Sequence, residues 1–235
     1  MSLKGIFPID HLYFTTQFAL DVLSADDYHA LITQQEQQKY KKGEIIYKEG
    51  VKPSGLFFIH QGKVKKYKVD QYGREHVLYI TSRDELVGYH AVLAEERYSD
   101  SMAALQSSII SFIPMEDFMG VLNRSPLFAR HLLKLMSQEI TVFANKLSIF
   151  GQRTAVERLA IALIILREKF KIDTAENEEI TIDISRTDLA GIAGIAKENV
   201  IRILKEFKSE EIIATEGRKI FVLDIKKLVL RSNYK

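Results

Sequence analysis

Residues 185–207, SRTDLAGIAGIAKENVIRILKEF, carry the pattern of a helix, a tight turn and a second helix. Leu189, Ala193, Ile195, Val200 and Ile203 fall where two short helices crossing steeply bury apolar faces together, and small Ala190 lets them approach. Gly194 supplies the turn residue that tolerates positive φ. Ser185 is placed to cap the first helix, with Asp188 adding negative charge in its first turn. On the second helix Val200, Ile203, Leu204 and Phe207 make one apolar face, and Glu198, Arg202 and Lys205 project from the other.

That outer face has the chemistry of base edges. Lys197 and Arg202 can donate to guanine O6 and N7, and Glu198 can accept from cytosine N4. The same pattern also fits an ordinary helical hairpin with solvated charges. The downstream residues make it more specific: residues 212–214, a tight turn at Glu216-Gly217 and residues 219–223 read as a β-hairpin wing. Double-stranded DNA is therefore the expected partner. Lys197, Glu198 and Arg202 are expected at bases, and Ser185, Arg186, Asn199, Lys205, Arg218 and Lys219 at the DNA backbone.

The 235 residues suffice for two modest domains. No apolar run reaches membrane-spanning length and the N-terminus has no secretory pattern, so a cytoplasmic protein without membrane contact is expected. With no cysteine, disulfides, Cys-ligated zinc and Cys-ligated iron–sulfur clusters are excluded. The net charge of +2 is uninformative, but residues 186–235 hold 11 Lys and Arg against 7 Asp and Glu, an excess of 4 where phosphates would lie. There is no Gly-rich phosphate loop, H-E-x-x-H or G-x-S-x-G, so no catalytic group is nominated and an enzyme is not expected. His60, His76 and His90 lack i, i+4 spacing, so neither a metal nor a cofactor is expected.

From the N-terminus, residues 12–33 read as a helical entry containing Phe18, Leu20, Val22 and Leu23, with Ser24 able to start a second stretch. Short extended segments come next at 39–42, 44–47, 55–60, 63–69 and 76–80, punctuated by Gly43, Gly50, Gly62 and Gly73. They predict a compact β-sandwich or β-roll. After Pro126 a long helix carries Ala129, Leu133, Met136, Ile140, Phe143, Leu147 and Phe150 at alternating spacings of four and three. Such a seam fits an identical partner, or else a helix buried within one subunit. A second line, Leu132, Leu135, Val142 and Ile149, can cover the β-roll of the same chain. Gly151 is expected to interrupt the helix, giving a hinge at 150–153, before Thr154 restarts it. Residues 173–179 read as a surface loop leading into a strand at 180–184.

The segments KKGEIIYKEG (41–50) and GLFFIHQGKVKKYKVDQYGREHVLYI (55–80) resemble the cyclic-nucleotide-binding β-roll. With the winged helix downstream, the chain resembles the CRP/FNR family of bacterial transcription regulators over residues 37–223. The resemblance implies an α+β fold: a β-roll sensor domain with its helical entry (1–125), a dimerisation helix and hinge (126–152), and a winged helix-turn-helix DNA-binding domain (153–235). It also implies a parallel homodimer, contacts with RNA polymerase and a small-molecule effector of unknown identity. Near the family's Arg-Glu-x-x-x-Arg arrangement stand Lys197, Glu198 and Arg202, and Ala196 lacks the capping hydroxyl common there.

In cyclic-nucleotide-binding members a Gly-Glu pair, followed about ten residues later by Arg-Ser, cradles ribose and cyclic phosphate. The matching segment is LVGYHAVLAEERYSDSMAAL (86–105). Gly88 is kept, Tyr89 replaces the Glu, and Ser99-Asp100 replace Arg-Ser. Loss of the guanidinium removes the bidentate phosphate partner, and Asp100 adds a like charge, so cAMP is not the expected effector. Arg97 would substitute only after a shift of two residues. The expected pocket comprises Gly88, Tyr89, His90, Arg97, Ser99, Asp100 and, from the long helix, Phe143; an apolar ligand and no ligand both stay open. The alternative overall reading is a cyclic-nucleotide-binding signalling module whose winged helix contacts protein.

Overall fold

The computed structural model describes residue 3, residues 5–175 and residues 178–234. The chain forms two compact units: Phe14–Lys68 with Leu78–Ile140, and the chain from Thr141 onward with Val69–Val77 and the N-terminal residues up to Tyr13. This grouping by contact differs from the three successive stretches read along the sequence, because it divides the long helix and assigns a hairpin tip and the N-terminus to the C-terminal unit.

The first unit is built on two antiparallel sheets. Their strands are β1 (Gln37–Tyr40), β2 (Ile45–Tyr47), β3 (Gly55–Gln61), β4 (Lys63–Val69), β5 (Glu75–Ser82), β6 (Glu85–Val87), β7 (Ser101–Ala104) and β8 (Ser108–Pro114). One sheet runs β1-β8-β3-β6 and the other β2-β7-β4-β5. The first strand lies two residues before its expected place, and β6, β7 and β8 were not foreseen. All four corner glycines hold positive φ. Gly62 needs it most: between β3 and β4 its φ is 95°, and a Cβ there would lie 2.3 Å from Ser108 Oγ.

Leu56 and Phe58 of β3 and Ile113 of β8 share a core with Leu31 and Ile32, which follow the short helix α1 (Ala25–Tyr28), and with the helices α3 (Met115–Arg124) and α4 (Pro126–Gln152). A shorter α2 (Tyr89–Leu93) lies before β7. Phe118 and Phe128 are fully buried with rings edge to face at 6.0 Å, and truncating either would cost about 3–5 kcal/mol. Leu132 and Leu135 of the second apolar line join this core, whereas Val142 and Ile149 of the same line are buried in the other unit. The first part of the expected helical entry is absent, since residues 17–22 are successive turns; its second stretch forms from Ala25 to Thr33, where Ser24 Oγ accepts from the Asp27 N–H. The cause is tertiary, since Thr16 Oγ1 donates to the Leu86 carbonyl and accepts from the Leu86 N–H, which holds this backbone against β6.

In the second unit α4 runs through Gly151, and the break comes at Thr154. Thr154 caps α5 (Ala155–Lys171) in a reciprocal box with Glu157. A glycine in a helix weakens it without stopping it; the capping hydroxyl sets the new start. Residues 173–179 connect onward, with 176 and 177 outside the described residues, to β9 (Thr181–Asp183). Then come α6 (Arg186–Ala193), α7 (Lys197–Ser209), β10 (Ile213–Glu216), β11 (Lys219–Val222) and α8 (Ile225–Ser232). The wing sheet is ordered β10-β11-β9. Glu216 pairs with Lys219, so the turn residues are Gly217-Arg218, one position later than expected. The sequence reading did not include α8; Asp224 caps it, and Ile225 and Leu228 pack it down.

Candidate nucleic-acid interface

The helix-turn-helix closes around Leu189, Ala193, Val200, Ile203, Leu204 and Phe207, all buried. Ser185 Oγ accepts from the Asp188 N–H at 2.9 Å and starts α6. Gly194 adopts φ 61° and ψ 40° and turns the chain into α7. A Cβ at Gly194 would come within 2.7 Å of the Phe150 ring, so the turn needs glycine for space as well as for φ. Ala196 precedes α7 with no side-chain cap, leaving the first-turn N–H groups without a capping acceptor from that residue.

With the apolar side buried, Lys197, Glu198, Asn199, Ile201, Arg202 and Lys205 are all exposed. Among the described residues the ion partner of Arg202 is Glu206 on its own helix, at 3.9 Å, and the Arg202 side chain is 62 % exposed. Glu206 is also engaged by Arg231 of α8, which leaves the Arg202 guanidinium loosely held. The wing cations differ among themselves. Arg186 donates to the carbonyls of Gly217 (3.0 Å) and Arg218 (3.2 Å), tying α6 to the wing turn, and its partial burial lowers its pKa. Arg218 pairs with Asp183 at 3.2 Å, whereas Lys219 is exposed on β11. Of the six residues expected at the DNA backbone, Ser185 and Arg186 thus have an evident internal role, as cap and as wing tether.

The cassette in the β-roll is organised differently. Asp100 is 2 % exposed. It accepts from the Tyr47 hydroxyl at 2.9 Å and from Ser99 Oγ at 3.2 Å, with Lys66 Nζ at 3.6 Å and His90 Nε2 at 3.5 Å. Burial, reinforced by Asp100, holds the Tyr47 phenol well above its ordinary pKa. His90 is lowered to about 4, by burial first and then by Lys66, against the opposing pull of Asp100. The imidazole is therefore neutral at pH 7, and its approach to Asp100 is a polar contact rather than an ion pair. Tyr47 stacks on Tyr98 at 4.0 Å, and Tyr98 donates to the Gly55 carbonyl. Arg97 is exposed and donates to the Gly50 carbonyl at 2.8 Å.

A small cavity beside this network is lined by residues that include Lys66, Tyr79, Glu85, Tyr89 and Glu139, and its free volume of about 20 Å³ holds roughly one water. Of the seven residues expected at a pocket, only Tyr89 lines this cavity. Its hydroxyl donates to Glu139 at 2.6 Å, so α4 contributes Glu139 here, one turn before Phe143. Lys66, Tyr47 and Glu139 were missed. Lys66 lies in a run of five buried residues on β4 and Tyr47 ends the three-residue β2, so neither carries an alternation that singles it out.

On α4, Leu133, Ile140 and Leu147 recur every seven residues and are 68 %, 70 % and 63 % exposed. Phe143 is also exposed, and Ala129 and Met136 are partly covered. Phe150 differs: its ring lies 5.0 Å from His76, and the Arg158 guanidinium sits over it. Among the described residues no helix is long and apolar enough to cross a membrane, and no cluster of three or more His, Asp or Glu is placed to hold a metal.

Two family models match: the cyclic nucleotide-binding domain over residues 37–125 and the Crp-like helix-turn-helix domain over residues 157–231. The chain is 28 % identical over 184 residues to the transcriptional activator protein anr of Pseudomonas aeruginosa, covering 78 % of this chain and 75 % of that one. It is 26 % identical over 207 residues to the fumarate and nitrate reduction regulatory protein of Vibrio cholerae, covering 88 % and 82 %. Among solved structures, a CRP/FNR-family transcriptional regulator from Thermus thermophilus matches with TM-score 0.70 at 21 % identity, covering 84 % of this chain and 98 % of that one. FixK2 from Bradyrhizobium japonicum matches with TM-score 0.70 at 19 % identity, covering 83 % and 95 %.

Proposed function

The chain belongs to the CRP/FNR family of transcription regulators, and from that premise we propose that it acts as a homodimer whose two α7 helices read a two-fold symmetric DNA site. Residues 1–125 serve as the sensor domain, 126–152 as dimerisation helix and hinge, and 153–235 as the DNA-binding domain. The observation that carries this reading is the outward face of α7. Glu198 and Arg202 stand exposed on a helix whose other side is fully packed. Lys197 stands exposed with them as a third base-reading residue, and Asn199, Lys205, Arg218 and Lys219 are the donors for phosphates. Leu133, Ile140, Phe143 and Leu147 supply the dimer seam, and RNA polymerase is the partner through which regulation acts.

cAMP is not the effector. The carboxylate of Asp100 lies within the cassette that holds the cyclic phosphate in nucleotide-binding relatives, and it is already satisfied by Tyr47, Lys66 and Ser99. Arg97, the nearest guanidinium in sequence, is turned to a backbone carbonyl.

The test is selection of bound duplexes from a random pool, paired with calorimetry against cAMP. The expected outcome is one inverted-repeat motif with half-site centres about 34 Å apart, together with no heat of cAMP binding. A pool that enriches no sequence would refute the DNA reading, and a micromolar dissociation constant for cAMP would refute the cassette reading.

A further inference from the structure

Ile201 is 41 % exposed, although α7 already buries four apolar side chains at Val200, Ile203, Leu204 and Phe207. It stands three residues after Glu198, one before Arg202 and four before Lys205, so these four side chains share one helical face. The fold has no evident need for it. A β-branched residue is a poorer helix former than alanine, and this one leaves about two fifths of its surface in water on the face opposite the core. A lone surface isoleucine needs no explanation in general; here the position is singular, because every other exposed side chain in the first three turns of α7 is polar or charged.

Charged side chains distinguish guanine and cytosine by their donors and acceptors, but the mark that sets thymine apart in the major groove is its C5 methyl, which only an apolar contact reads. We propose that Ile201 is a specificity-determining residue that packs on the C5 methyl of one thymine in each half-site, beside the pairs contacted by Glu198 and Arg202. The proposal rests on the reading of α7 as the groove-entering helix. It adds a preference for thymine at a position the charged residues do not select.

The experiment replaces each thymine of the selected site, one symmetric pair at a time, by deoxyuridine, which removes only the methyl, and measures binding by fluorescence anisotropy. For the wild-type chain one position is expected to be sensitive, with affinity falling about fourfold per methyl and roughly fifteenfold for the pair, as burial of one methyl implies. Ile201→Ala is expected to bind thymine and deoxyuridine sites equally at that position while keeping its other base preferences. Because Ile201 is exposed, the variant's unfolding midpoint should match wild type. Thymine sensitivity that survives in Ile201→Ala, or a wild type indifferent to deoxyuridine at every position, would overturn the proposal and leave the reading of α7 standing. A random pool that enriches no sequence would instead overturn that reading and this inference with it.

Discussion

The cassette of the β-roll and the outer face of α7 both concentrate charged groups, yet they treat them in opposite ways. Asp100 and Lys66 are buried and answered by side chains from neighbouring strands and from α2. Glu198 and Arg202 are exposed, and Arg202 is answered by no more than a distant Glu206 among the described residues. Burying a charge without partners is prohibitive, so the cassette must complete itself from within. An exposed charge remains hydrated and can exchange that water for a base edge. Local polarity alone therefore does not mark a binding surface; the useful distinction is whether the polar groups already satisfy one another.

The sharpest extension of this contrast concerns α4, whose exposed groups are apolar. If Leu133, Ile140, Phe143 and Leu147 meet a second copy, replacing Ile140 and Phe143 by Glu places buried charges in the seam. Sedimentation should then give monomers, and DNA affinity should fall roughly 100-fold or more as the two half-sites lose their linkage. A double variant that stays dimeric would put the interface elsewhere.

Next in size is the cassette itself. Asp100→Ala leaves the Tyr47 hydroxyl and the Lys66 ammonium without their acceptor in a buried setting, and removing one member of such a pair costs about 3 kcal/mol. Chemical denaturation should show that loss, and Tyr47→Phe should show only about 1 kcal/mol because it deletes a single hydrogen bond. If Asp100→Ala proves as stable as wild type, the network is not a closed structural unit. Arg202→Ala should behave the other way round. Its folding stability should be unchanged, while DNA binding weakens by about 1–3 kcal/mol and relaxes at one base position. If selection returns the wild-type motif for this variant, α7 is not the reader.

The sequence made the second unit far more legible than the first. Ser185, Gly194 and the uncapped Ala196 each announce themselves by residue type, because caps and left-handed turns depend on local chemistry. The strands β6, β7 and β8 do not. Ser101, Met102, Ala103 and Ala104 are all buried, so no alternation of polar and apolar residues remains to be read, and only pairing with β2 and β4 identifies them as strand. The cassette was legible in its departures at Tyr89, Ser99 and Asp100 but not in its partners. Lys66 and Tyr47 come from strands 34 and 53 residues away in sequence from Asp100, and tertiary register alone brings them together. The same limit displaced the α4 contribution from Glu139 to Phe143, a single helical turn. Ile201 escaped because an apolar residue amid other apolar residues looks like core until its angle about the helix is counted.

The smallest predicted effect probes the cassette through pH. His90 faces Lys66, Asp100 and the Ser99 hydroxyl, and its folded pKa of about 4 lies below the ordinary value of 6.5. Between those values the unfolded chain binds a proton that the folded chain does not, so stability rises with pH across the window. The contribution is complete above about pH 6.5 and is lost progressively as pH falls towards 4. From pH 6.5 to 5 this amounts to roughly 1–2 kcal/mol. His60 and His76 are also lowered by burial and act in the same direction, so the informative quantity is the difference between wild type and His90→Gln. Urea midpoints measured at pH 7.5 and 5 should fall less in the variant than in the wild type. Equal falls would mean that His90 charges freely in the folded state, and the network around Asp100 would then be open to water rather than closed.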